Sequence, residues 1–147
     1  MKIRFCFPLK ANEYEVIDGD TVKVMLDRGF NDYKWVSLRF LGLNAPESRT
    51  RRTLEKQAGL LVKEIVLKWI EARKGVQLFA TSEEKPKFAG RAIGKLWGTS
   101  EDEDCLNDFL LNLGVVKAYE GGARNFTDEE LGSIISKATI YLTSLIE

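Results

Sequence analysis

Residues 13–26, EYEVIDGDTVKVML, alternate apolar and polar side chains on both sides of an Asp-Gly step. Alternation with a period of two gathers the apolar residues on one face of a strand, and Asp-Gly between two such runs marks a hairpin turn. A lone hairpin is barely stable in water, so this one must find more strands or a helix to cover its apolar face. Residues 28–33, RGFNDY, supply a second turn, and residues 34–43, KWVSLRFLGL, a third strand with Val36, Leu38 and Phe40 on one side. Three strands with short connections make an antiparallel meander.

The period then changes. Leu54, Ala58, Leu61, Val62, Ile65, Trp69 and Ala72 recur at intervals of three or four, which predicts a helix that Gly75 would end. Residues 75–81 and 91–97 read as two further strands. Ser100 with Glu103 makes a capping-box pattern ahead of Leu106, Phe109, Leu110 and Leu113, with Gly114 as the stop. Thr127 with Glu130 repeats that pattern ahead of Leu131, Ile134, Ile135, Ala138, Leu142 and Leu145. Three strands, a helix, two strands and two helices predict an α+β fold: a five-stranded OB-fold β-barrel with three α-helices. No repeat or linker interrupts the order, so residues 1–147 are read as one domain.

Composition narrows the chemistry. The chain has no histidine, which removes Ser-His and Cys-His nucleophile pairs and imidazole metal sites. Only Cys6 and Cys105 are thiols, too few for a typical zinc site, and a disulfide between them stays open. Reactions near neutral pH must use carboxylates, Arg, Lys, Tyr or a hard ion. No apolar run reaches the roughly 18 residues of a membrane helix, and MKIRFCFPLK is a poor signal peptide. We therefore expect a cytoplasmic protein with no membrane partner, acting as a monomer. Basic and acidic residues balance at 22 each, which argues against a nucleic-acid coat but leaves room for a local basic groove. Arg49, Arg51, Arg52 and Lys56 cluster after Glu47 and suit either a solvated loop or a phosphate-tracking surface.

Oxygen ligands crowd two strand ends: Asp18 and Asp20 around Gly19, then Asn44 and Glu47 around Ala45 and Pro46. Asp18-Gly19-Asp20 also suits a plain tight turn, and residues 44–47 a turn leading into a helix that welcomes acids in its first residues. Arg39 stands between Leu38 and Phe40, where an unpaired charge is costly, so it needs a dedicated partner. Arg91 reads equally as an edge-strand charge, and Tyr119 as a packing residue.

IDGDTVKV, LRFLGLNAPE, GRAIGKLW and LNDFLLNLGVVKAY occur in the order and spacing of the staphylococcal nuclease (thermonuclease-like) family, which the chain resembles over roughly residues 13–120. The resemblance implies a calcium-dependent phosphodiesterase that cuts DNA and RNA and leaves 3′-phosphates. It places catalytic roles on Arg39, Glu47 and Arg91, and metal ligation on Asp20, Asn44 and the Ala45 carbonyl. Tyr119, Lys87 and Phe88 would contact substrate, and Ca2+ would be the cofactor, with Mg2+ or Mn2+ as other ions such oxygens accept. The chemistry agrees: guanidinium forks match phosphate oxygens, a hard cation offsets their charge, and a nearby glutamate can take a water's proton. The chain departs from the family at Asn44, where an aspartate is usual, at Ala45 in place of threonine, and at Phe88, one position early with no acid before Gly90-Arg91. Loss of the carboxylate at 44 also suits another reading: a non-catalytic OB-fold module that holds single-stranded nucleic acid or a protein partner.

Overall fold

A computed structural model describes residues 5–82, 90–100, 103–119 and 125–146. In chain order the elements are β1 (Phe5–Asp18), β2 (Thr21–Asp27), β3 (Tyr33–Phe40), β4 (Leu43–Asn44), α1 (Thr53–Glu71), β5 (Phe79–Ser82), β6 (Arg91–Ser100), β7 (Glu103–Cys105), α2 (Leu106–Leu113), β8 (Lys117–Ala118) and α3 (Asp128–Ser144). Strands β3, β2, β1, β5 and β6 neighbour one another in that order, and β6 returns to pair with β3. The ring closes: this is a five-stranded barrel of the OB type with three helices, as the pattern predicts.

All pairings around the ring are antiparallel except the closing one, in which Ser37, Leu38, Arg39 and Phe40 run parallel to Arg91, Ala92, Ile93 and Gly94. Paired residues share a face. Val36, Leu38 and Phe40 therefore point inward with Gly94 and Leu96, all buried, while Trp35, Ser37, Arg39, Arg91 and Ile93 point outward. Helix α1 closes one end of the barrel with Ala58, Val62, Ile65, Val66 and Trp69, and α3 packs on α1 through Leu131, Ile134 and Ala138.

Three expectations need correction, and one that holds has an unforeseen reason. The first strand begins at Phe5, well before residue 13; Phe5–Pro8 pair with Phe79–Ser82, and the chain bulges between Leu9 and Tyr14, with Asn12 at φ 64°. Pairing with a strand some 70 residues away leaves no local signal. Helix α1 ends at Glu71, capped by the Ala72 amide, and Gly75 lies in the turn beyond it at φ 86°. Ser100 and Glu103 are not a capping box: they face each other across β6 and β7, and α2 starts from Cys105 with no side-chain cap. The Asp18-Gly19 hairpin forms, yet Gly19 is not at positive φ. A Cβ there would lie 2.4 Å from Val62 Cγ1, so the glycine is needed for close approach of α1.

Among the described residues no helix is long and apolar enough to cross a membrane. Cys6 and Cys105 form no disulfide, and burial pushes the Cys105 thiol pKa up, which keeps it protonated and inert.

Candidate functional site

Asp20 lies at the β1–β2 turn and is fully buried. Its Oδ1 accepts the Thr21 hydroxyl at 3.0 Å, and its Oδ2 accepts the Ala45 amide at 2.9 Å. Arg39, directly across β2 from Thr21, brings Nη1 to 3.0 Å from the same Asp20 Oδ2, while its Nη2 donates to Asn44 Oδ1. The Arg39 side chain is 34% exposed, so one edge of the guanidinium stays open to solvent. A carboxylate taken wholly out of water needs this charge beside it.

The neighbouring oxygens serve the backbone. Asp18 accepts both the amide and the hydroxyl of Ser48, and Glu55, in the first turn of α1, accepts the Glu47 amide at 3.0 Å. Pro46 has no N–H. Every amide from Ala45 to Ser48 is thus received by a carboxylate: Asp20, Glu55 or Asp18. Asp18 ends the hairpin strand and also fixes, through Ser48, the segment that carries Glu47, a role beyond the plain turn its sequence suggests.

Two residues of this arrangement escape sequence reading. Glu55 gives no signal beyond an acid early in a helix. Gly59 packs α1 against the segment so tightly that a Cβ would lie 2.4 Å from the Glu47 carbonyl carbon and oxygen. Its signal, a glycine inside a helical pattern, marks such close approach.

Arg91 pairs with Ser37 and is exposed on the outer face of the barrel. It lies one strand over and two residues along from Arg39, which sheet geometry puts at about 8 Å between Cα atoms. Tyr119 is 44% exposed and donates its amide to Gly42 O at 2.8 Å, held there by the β4–β8 pairing that sets Lys117 opposite Asn44. The structure thus brings Asp20, Arg39, Asn44 and the Ala45 amide into direct contact. Glu47 follows two residues after Ala45 in the braced segment, Arg91 is diagonal to Arg39 on the neighbouring strand, and Tyr119 is tied by its amide to Gly42. Lys87 and Phe88 lie outside the described residues. Arg52 is not part of a phosphate track: its guanidinium binds Phe126 O and Asp128, tying the start of α1 to the start of α3. Arg49 and Arg51 remain exposed.

The implied ion can be tested against these donors. Among the described residues no group of three or more His, Cys, Asp or Glu is placed to hold a metal. The donor set is instead mixed: the Asp20 carboxylate, the Asn44 amide oxygen, the Ala45 carbonyl and Glu47. All are hard oxygens of the kind Ca2+ and Mg2+ accept. The Asp20 and Asn44 oxygens also converge on one cationic position, which the Arg39 guanidinium fills. The residues fit a hard ion in kind, and two of the oxygens, from Asp20 and Asn44, meet at one guanidinium, with one negative charge fewer than a second aspartate would give.

No family model matches the chain, and no curated protein matches it. The thermonuclease resemblance rests on its four motif segments alone.

Proposed function

We propose that this protein is a metal-dependent phosphodiesterase that hydrolyses DNA or RNA. The observation that carries the reading is the closing β3–β6 seam, which sets Arg39 and Arg91 diagonally across two neighbouring strands on one outer face, together with the braced segment that bears Glu47. Two guanidinium groups donate to the non-bridging oxygens of one phosphate and stabilise the extra charge of the pentacoordinate state. Glu47 orients a water for in-line attack and takes its proton. Its amide bond to Glu55 and the close approach of Gly59 set the position of its backbone. Asp20, Asn44 and the Ala45 carbonyl would hold a calcium-type ion, whose charge polarises the phosphate. Arg39 would change partners from Asp20 and Asn44 to phosphate as substrate enters.

A second reading, an OB-fold module that binds nucleic acid without cutting it, is favoured by Arg39 bridging Asp20 and Asn44 and by the absent carboxylate at 44. Incubating the purified chain with supercoiled plasmid and with single-stranded RNA separates the two, using Ca2+, Mg2+ or Mn2+ against chelator. Metal-dependent cutting that falls by about 10²–10⁴-fold in Glu47→Ala is expected for the enzyme. Gel retardation without cutting supports the module, and equal cutting by wild type and variant would remove Glu47 from the mechanism.

A further inference from the structure

The outward face of β2, β3 and β6 carries large apolar side chains that nothing in the proposed chemistry requires. Trp35 is 46% exposed, Tyr33 40% and Ile93 49%. Trp35 lies on the same face of β3 as Arg39, four residues before it, and Arg91 lies level with Ser37 between them. Along β3 the row therefore reads Trp35, Ser37 level with Arg91, Arg39 level with Ile93, then Leu41, with the exposed Tyr119 beyond at Gly42. The outward charged side chains of β2, β3 and β6 are Lys23, Arg39, Arg91 and Lys95 against Asp27. Lys23 has Glu15 opposite it on β1, Arg39 has Asp20 beneath it, and the Asp27 carboxylate is engaged by the Gly29 amide in the adjoining turn. A basic strip with exposed aromatic rings, continuous with a phosphate-binding pair, matches a single nucleic-acid strand: charges for the backbone, flat faces for the bases.

We propose that Trp35 is a base-stacking platform for single-stranded nucleic acid, on the opposite side of the Arg39–Arg91 pair from Tyr119. The proposal rests on the reading of that pair as a phosphate site. Trp35 and Arg39 are about 13 Å apart along an extended strand, a span that a few nucleotides of a single strand can bridge. The bound strand would follow β3, and nucleotides on both sides of the held phosphate would be gripped. Extended single strands would then be preferred to duplex, whose paired bases cannot turn onto the ring.

The molecule carries its own reporter. Trp69 and Trp97 are 3% and 9% exposed, so Trp35 is the one solvent-open tryptophan of three. The full chain, kept in chelator so that nothing is cut, is titrated with a fluorescein-labelled oligothymidylate of about 12 nucleotides, within the site size of one OB barrel. Anisotropy and tryptophan emission are read for wild type, Trp35→Ala and Trp35→Phe. Wild type is expected to bind with quenched emission. Trp35→Ala should bind about five- to 150-fold more weakly, the equivalent of losing one stacked base. Trp35→Phe should keep most of the affinity. Circular dichroism confirms that the variants fold, as substitution of an exposed ring predicts.

No binding by wild type, or equal affinity in wild type and Trp35→Ala, overturns the platform. So does a dimer seen in sedimentation that Trp35→Ala dissolves while oligonucleotide affinity stays unchanged. Equal affinity with intact metal-dependent cutting refutes the platform and leaves the enzyme reading standing. Weakened binding by Trp35→Ala with no cutting in any ion supports the platform and refutes the enzyme.

Discussion

At the scale of single residues, the site is held by what its neighbours lack as much as by what they offer. Gly59 has no Cβ where one would meet the Glu47 carbonyl at 2.4 Å. Gly59→Ala must push α1 away from residues 45–48, and we expect it to lose about 2 kcal/mol in urea unfolding, in the range of overpacked cores. Cutting should fall further than stability alone explains, because Glu47 moves with its backbone. Asn44 tests the ion. Asn44→Asp restores a second carboxylate facing the position Arg39 now fills. A divalent ion gains about twice what a guanidinium gains from that charge, so calorimetry should show Ca2+ binding roughly tenfold tighter. Unchanged affinity would mean that residue 44 does not face the ion. These positions differ in how far the sequence discloses them. Arg39 between two apolar strand residues announced a buried partner, and Asp20 proved to be that partner. Glu55 and Gly59 gave little sign, because their contacts depend on how α1 leans on the barrel.

At the scale of elements, two identical local patterns met different fates. Thr127 and Glu130 form a reciprocal capping box at the start of α3, with amide-to-side-chain distances of 2.8 and 3.1 Å. Ser100 and Glu103 have the same spacing and became paired strand residues, because β6 offered hydrogen bonds that a capping motif cannot match. A capping box is local and legible in sequence, whereas a sheet edge is not. Thr127→Ala should cost about 1 kcal/mol and lower Tm by about 3 °C. The same cap is sensitive to acid. The hydrogen bond from Lys117, then that from the Thr127 amide, lowers the Glu130 pKa below its usual 4.5. A depressed carboxylate stabilises the fold fully above its unfolded pKa and ceases to do so as pH falls through the folded value. Circular dichroism of wild type should therefore lose α3 signal below pH 4.5, and Glu130→Gln should lack that step. Lys117 stands opposite Asn44 in the β4–β8 pair, so this cap also steadies the strand leading to Tyr119.

At the scale of the whole molecule, charge cancels in sum but not in place. The outer strip of β2, β3 and β6 is basic, and the Asp104 carboxylate, from the acidic run at 101–104, binds Arg73. Binding of single strands should depend on salt only as steeply as the few phosphates gripped. Two to four contacts, from Arg39, Arg91, Lys23 and Lys95, give a log–log slope between about −1.4 and −2.8. A much steeper slope in anisotropy titrations would point to a basic surface far larger than this strip. The closed barrel was legible from strand order and turn residues. Its bulge, its small β4–β8 pair and the early start of β1 were not, since each depends on partners distant along the chain.

The parallel join of β3 to β6 ties residues 37–40 to 91–94. It spans a longer stretch of chain than the join of β3 to β2, and loop-closure entropy delays such contacts during folding. Arg39 and Arg91 become neighbours only when that join forms. A nascent copy extended past Gly94 would carry both guanidinium groups yet could not set them over one phosphate until β6 pairs with β3, so competence would arrive with that pairing.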